Sequence, residues 1–167
     1  VAPDDATWAG FGPAWLTWIA THCFARGHTY LHRSGDLAVA WIPPDLPFVS
    51  PADVEVGYGI IATHAGAGRA DDAFATITEA RGHSLTDSHW TLQYIGARAR
   101  VRGQGLGAAA LAPMLAECDA DDLPCGLVST NPRNLSFYER HGFRVIAEVF
   151  TPDGAAAMRP MHRVAAR

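Results

Sequence analysis

The spacing of apolar residues changes along the chain, and each change marks an element. Trp15, Trp18, Ile19, His22 and Cys23 recur every three or four positions and predict an amphipathic helix over residues 13–26. Pro13 suits its first turn and Gly27 its end. Residues 1–12 are mixed, aromatic and without a clear period. Residues 28–33 and 37–42 then read as two strands of a hairpin, joined by Ser34-Gly35-Asp36 and ended by Pro43-Pro44. Ser50 before Pro51 forms an N-cap and N1 pair, opening a helix whose Val54, Tyr58 and Ile61 share a face. The glycine-rich residues 65–68 break it, and Asp71 or Asp72 starts another helix that runs to about Arg81.

The second half is patterned more sharply. Residues 90–95 predict a central strand, with Trp90, Leu92 and Tyr94 on one side and Thr91, Gln93 and Ile95 on the other. Gly96 marks a predicted bulge. The alanine-rich residues 106–119 predict a helix in which Pro113 removes one internal hydrogen bond and imposes a kink. Residues 126–130 read as the next strand and 132–141 as the next helix, stopped by Gly142. Residues 144–150 and 157–163 form a predicted hairpin around Pro152-Asp153-Gly154. Strand 157–163 is expected at an edge, where it could pair with a second subunit. No internal repeat or low-complexity linker interrupts this order.

Composition narrows the class. At 167 residues, with 49% hydrophobic residues and a mean hydropathy of +0.01, the expectation is one globular domain over residues 1–167 that buries its core without staples. A net charge of −4 supplies no basic field for nucleic acid. All 13 basic residues are arginine, which with the abundant alanine suggests a GC-rich, bacterial coding sequence. Cys23, Cys118 and Cys125 have neither an even count nor ligand-like spacing, so a reduced, cytoplasmic setting is expected, with no bound metal. No apolar run suggests a membrane segment.

One stretch concentrates the chemistry. Arg102-Gly103-Gln104-Gly105-Leu106-Gly107 lies between the central strand and the alanine-rich helix. Alternate glycines leave backbone N–H groups uncovered, and the helix start adds unpaired donors and a favourable dipole. Together they predict capture of a pyrophosphate. No Lys-Ser or Lys-Thr follows to hold a nucleotide's terminal phosphates, and no ribose-binding acid follows about 20 residues later in a regular βαβ unit.

Arg102, Gly105 and Gly107 fit Q/R-x-x-G-x-G/A, which resembles the acetyl-CoA loop of the GNAT superfamily of N-acetyltransferases. The block Asn131-Pro132-Arg133-Asn134-Leu135-Ser136-Phe137-Tyr138-Glu139-Arg140-His141-Gly142-Phe143 is similar to the helix and turn that close the CoA site there. Within the superfamily the combined spacing looks nearest to puromycin N-acetyltransferase-like bacterial proteins. The resemblance implies an α/β (α+β) fold: a mixed, mostly antiparallel central sheet flanked by helices. Only 27 residues precede the predicted hairpin, so the family's first strand is expected to be missing or rebuilt.

The resemblance also implies the roles. Ile95, Gly96 and Ala97 would offer backbone groups to the thioester, and Arg102, Gly103, Gln104, Gly105, Leu106, Gly107 and Ala108 would hold the pyrophosphate of acetyl-CoA. Asn134 and Tyr138, four residues apart, would face the pantetheine arm. Tyr138 is the candidate general acid, since a phenol of pKa about 10 stays protonated at neutral pH. The base is less plain, because Val128 in Leu127-Val128-Ser129-Thr130 occupies the position of a family glutamate. His89, Glu79 or an ordered water could replace it. Arg98, Arg100 and Arg102 could attract the CoA phosphates or form a solvated basic edge. The partners implied are acetyl-CoA and an amine acceptor, with the protein a monomer or homodimer. A non-catalytic acyl-CoA-binding module is the competing reading.

Overall fold

In the computed structural model, which describes residues 5–154 and 157–166, a seven-stranded sheet is ordered β1-β2-β3-β4-β7-β5, with β6 also paired to β7. The strands are β1 (Thr29–Leu31), β2 (Leu37–Ile42), β3 (Trp90–Ala97), β4 (Cys125–Ser129), β5 (Arg144–Val145), β6 (Val149–Phe150) and β7 (Ala157–Arg163). Only β3 and β4 are parallel; every other pairing is antiparallel. β7 lies inside the sheet, between β4 and the short pair β5 and β6, so it is not the free edge expected from its sequence.

The helices are α1 (Asp5–Ala25), α2 (Pro51–Ala65), α3 (Ala67–Gly82), α4 (Leu106–Ala120) and α5 (Leu135–Glu139). α4 covers one face, burying Leu111, Met114 and Leu115 against Val39, Trp41, Trp90, Leu92, Leu127 and Met161. On the other face α1 covers Ala40 and Ile42 through Ile19 and Cys23, and α2 and α3 pack outward from it around Phe11 and Ile61. All three cysteines are buried thiols.

Several elements differ from their predicted bounds for local reasons. α1 starts eight residues before Pro13, which sits exposed inside it. Trp8, Phe11, Trp15, Trp18 and His22 continue one three-and-four spacing through the proline, with ring centroids 5.0–5.8 Å apart. That period, not the proline, sets the helix start. Ser50 caps α2 as expected: its hydroxyl accepts from the Asp53 N–H and the Asp53 carboxylate accepts from the Ser50 N–H. The break to α3 takes one residue, Gly66, and α3 begins at Ala67 instead of Asp71. The expected helix over 132–141 is a short turn, Pro132–Asn134, followed by α5.

Among the described residues no strand precedes α1, and β1 is the outer strand of the sheet. A groove of about 380 Å³ beside it, lined by Tyr30, Leu31, Leu37, Leu106, Pro113 and Met114 among others, runs between β1 and α4. At the other end, Arg163 donates through both terminal nitrogens to the Asp119 carboxylate at 2.7 Å, tying β7 to α4.

Candidate active site

The site begins with a register shift. Ala40 faces Tyr94, yet the next residue, Trp41, faces Leu92, so Gln93 is an extra residue in β3. The bulge is therefore at Gln93 and not at Gly96, which pairs regularly with Ala38. An extra residue reverses the alternation beyond it. Tyr94 consequently turns to the α1 face, beside Trp15 and Cys23. Ile95 joins Trp90 and Leu92 on the α4 face. The predicted grouping of Tyr94 with Trp90 and Leu92 is corrected accordingly.

The bulge lies where β3 and β4 separate. They pair from Trp90 with Cys125 to Leu92 with Leu127 and no farther, while Val128 and Ser129 of β4 continue to pair with β7. A cleft opens between the last residues of β3 and β4. The Arg98 N–H donates to the Asp36 carbonyl at 2.9 Å, which sets the phase of the β2–β3 ladder. Residues 96 and 98 aim their main-chain groups at β2, so Ile95 and Ala97 aim theirs into the cleft. Of the three expected backbone contributors, Gly96 is occupied by its neighbour strand.

The glycine loop follows directly. A turn, Ala99–Val101, leads to Gly103 at φ 77° and to Gly105 at φ 79°, the N-cap of α4. Only glycine takes these angles without cost, and both point an open face outward, with nothing within 4 Å of an added Cβ. Among the described residues, no main-chain acceptor meets the N–H groups of residues 103–108. Six unpaired N–H groups thus lie at and just before the N-terminus of a 15-residue helix. Arg102 is exposed there. Arg100 is 2.5 Å and Arg98 3.7 Å from the buried Asp36 carboxylate, so these two anchor the loop to the β1–β2 turn. The Gln104 side chain donates to the Arg100 carbonyl at 3.0 Å, which stiffens the same turn. Sequence reasoning missed Asp36; its only signal was its place in a tight turn.

α5 closes the α4 side of the cleft. An added Cβ on Gly107 would lie 3.2 Å from the Phe137 ring, so the two elements touch where glycine permits it. Tyr138 is buried beside Phe137 and Phe143, and burial pushes its phenol pKa above the ordinary value. It therefore carries its proton across the neutral range. Asn134 is exposed in the turn before α5, four residues from Tyr138 but not on one continuous helix with it.

His89 sits at the start of β3, where the strands still pair. Its Nδ1 is 2.6 Å from the Asp87 carbonyl, which requires the proton on Nδ1 and leaves the Nε2 lone pair free. It lines a small cavity of about 30 Å³ together with Leu85, Thr91, Gly126, Val128 and His162 on the face opposite α4. Glu79 is exposed on α3. Among the described residues no cluster of three or more His, Cys, Asp or Glu is arranged to hold a metal.

The parallel strand pair parts beside a helix N-terminus with unpaired N–H groups, and the class of protein is that of the CoA-dependent acyltransferases. Residues 15–143 match the Acetyltransferase (GNAT) family, and the chain belongs to that family. Its fold is similar to that of arylalkylamine N-acetyltransferase 2 from Aedes aegypti, at 9% identity over 95% of this chain and 86% of that one, with a TM-score of 0.65. A Corynebacterium glutamicum protein described as histone acetyltransferase HPA2 and related acetyltransferase is similar at 18% identity, 93% and 77% coverage and a TM-score of 0.60. Chaetomium thermophilum Naa20 is similar at 11% identity, 99% and 84% coverage and a TM-score of 0.55. The mixed, mostly antiparallel sheet flanked by five helices is the shared fold. No helix among the described residues is long and apolar enough to cross a membrane.

Proposed function

We propose that this chain is an N-acetyltransferase that moves the acetyl group of acetyl-CoA to a primary amine of a small molecule by direct attack, within one catalytic domain. The observation that carries the reading is the run of unpaired N–H groups at residues 103–108 beside the opening between β3 and β4. The pyrophosphate binds to those donors, with Arg102 near them. The pantetheine arm lies in the cleft against the main chain of Ile95 and Ala97, reached by Asn134 from the α5 side. The amine nitrogen forms its bond to the thioester carbonyl carbon as the carbon–sulfur bond breaks, and main-chain N–H groups in the cleft stabilise the oxyanion. Tyr138 gives its phenolic proton to the departing thiolate, and a base at the cleft apex, with His89 a candidate, removes the amine proton.

Among GNAT proteins, the combined spacing of residues 90–96, the glycine loop and the 131–143 block looks nearest to puromycin N-acetyltransferase-like sequences, which supports a small-molecule amine. Val128 in place of the glutamate points to a different acceptor from theirs. The same apolar Val128 is the one observation in favour of a non-catalytic acyl-CoA-binding module. Calorimetric titration of acetyl-CoA, run beside a thiol-release assay over a panel of primary amines, separates the readings. Binding with amine-dependent CoA release is expected. Binding with no release for any amine would favour the module, and absence of binding would overturn the reading of the loop.

A further inference from the structure

We propose that His162 is the proton acceptor for the attacking amine, acting with His89 across the water-sized cavity at the apex of the β3–β4 cleft. The inference rests on the acetyltransfer reading above. It starts from an imbalance: the ring nitrogen Nε2 of His162 is buried and has no hydrogen-bond partner. An orphaned buried polar atom is costly unless something occupies the space before it. His162 also lines a cavity whose volume of about 30 Å³ suits one water molecule.

The cavity's position suits the chemistry. Thr91 and Gly126 on its wall are paired with one another, one step before the last β3–β4 pair, and Val128 lies just past that pair. The cavity therefore abuts the point where the strands part. His162 reaches it from β7, directly across Gly126, which has no side chain to intervene. Tyr138 and the glycine loop belong to the α4 face, whereas this cavity belongs to the opposite one. A thioester threaded through the cleft would have its sulfur toward the phenol and its carbonyl open to an amine arriving from the imidazole side.

The protonation state also fits. Burial holds the His162 pKa below the ordinary histidine range; a main-chain hydrogen bond at His83 opposes this and positive charge on His89 adds to it. Nε2 of His162 has no partner, so a proton held on Nδ1 would leave the Nε2 lone pair able to accept. Of the other flanking groups, Arg144 is the register neighbour on β5, and Gly126 and Val128 of β4 carry no charge. The step balances: the ammonium nitrogen gives one proton to the cavity water, and that water gives one to His162 Nε2. The freed nitrogen lone pair then bonds to the carbonyl carbon; as the carbon–sulfur bond breaks, the nitrogen sheds its second proton through the same water to solvent, which offsets the proton Tyr138 gives to the thiolate and lets the phenol be restored from solvent. The proton on His162 returns through the same water to Nε2 of His89, which is partly exposed, and leaves to solvent.

The test uses the full chain in two arms. In the first, nitrogen-detected NMR of the imidazoles in the wild-type protein reads tautomer and titration without any acceptor. The expected result is a neutral His162 protonated on Nδ1, titrating below about 6.5, with its Nε2 signal displaced on adding acetyl-CoA. A proton on Nε2, or no response to acetyl-CoA, would overturn the proposal. In the second, His162→Asn is assayed against the fastest amine of the panel. We expect kcat to fall about 100-fold with the KM for acetyl-CoA unchanged, and the acid limb of the pH–rate profile to move toward the pKa of the amine itself. A variant that is merely less stable, with the wild-type profile, overturns the base assignment alone. A wild-type chain that neither binds acetyl-CoA nor turns over any amine overturns the acetyltransfer reading and this inference with it.

Discussion

The half of the molecule built from β3, α4, β4 and α5 differs in kind from the half built from α1, α2 and α3. In the first, the unpaired groups are main-chain ones: the Ile95 and Ala97 positions facing the cleft and six N–H groups at the start of α4, to which the proposed function gives the cofactor. In the second, side chains make the structure: rings from Trp8 to Phe48 touch one after another, and Gly57 exists to let the Trp18 ring approach, since an added Cβ would lie 2.9 Å from it. Backbone chemistry demands particular residues at particular positions and so leaves a motif. Packing demands only volume and shape, and leaves none.

That contrast predicts which changes damage catalysis and which damage the fold. The largest effect is expected from Tyr138→Phe: turnover falls by about 100-fold or more while acetyl-CoA affinity by calorimetry stays within a factor of two or so. Unchanged turnover would remove Tyr138 from the chemistry and leave it as packing beside Phe143. Ile61→Ala, at a fully buried position of α2, should cost about 2–5 kcal/mol in denaturant unfolding. It should leave the KM for acetyl-CoA alone in the folded fraction; a raised KM would mean the two halves are coupled.

Asp119 offers a third test through pH. Hydrogen bonds from Arg163, then the Ala166 N–H, hold its carboxyl below the usual aspartate range. A lowered folded-state pKa stabilises above the unfolded value of about 3.9, and the benefit is lost as pH falls through the folded value. Stability should thus decline on acidification below about pH 4. Asp119→Asn should flatten that slope and cost about 2–3 kcal/mol at neutral pH, read from urea midpoints. The smallest effect is expected at Gly105. Alanine there must adopt φ 79°, at a penalty of about 1–2 kcal/mol, which should lower the melting temperature by a few degrees, while relaxation of the loop to relieve it should weaken acetyl-CoA binding by up to roughly 5- to 30-fold. A melting shift without an affinity change would assign the glycine to folding only.

The comparison also explains what could be read in advance. The hairpin at β1–β2, the capping box at Ser50 and the glycine loop rest on local rules of turn, cap and φ angle, and each was legible within a few neighbouring residues. α1 was legible in part: its period was read from Trp15 onward and not in residues 1–12, and Pro13 suggested a start because a proline more often opens a helix than sits within it. The Gln93 bulge was not legible at all. Strand register is decided jointly by both partners, and a single extra residue in β3 has no signature in its own sequence.

Sequence alone determined the local conformations and hence the shape of the glycine loop, because glycine at positive φ and a helix start act over a handful of bonds. Tertiary structure decided the rest of the site. It put the bulge at Gln93, turned Tyr94 away from Ile95, engaged Arg98 and Arg100 with Asp36, and brought His162 from β7 to the cavity that His89 borders. His89 and His162 are far apart in the chain, and what makes them neighbours is the order of strands β3, β4 and β7, settled by which hydrophobic faces the whole sheet can bury.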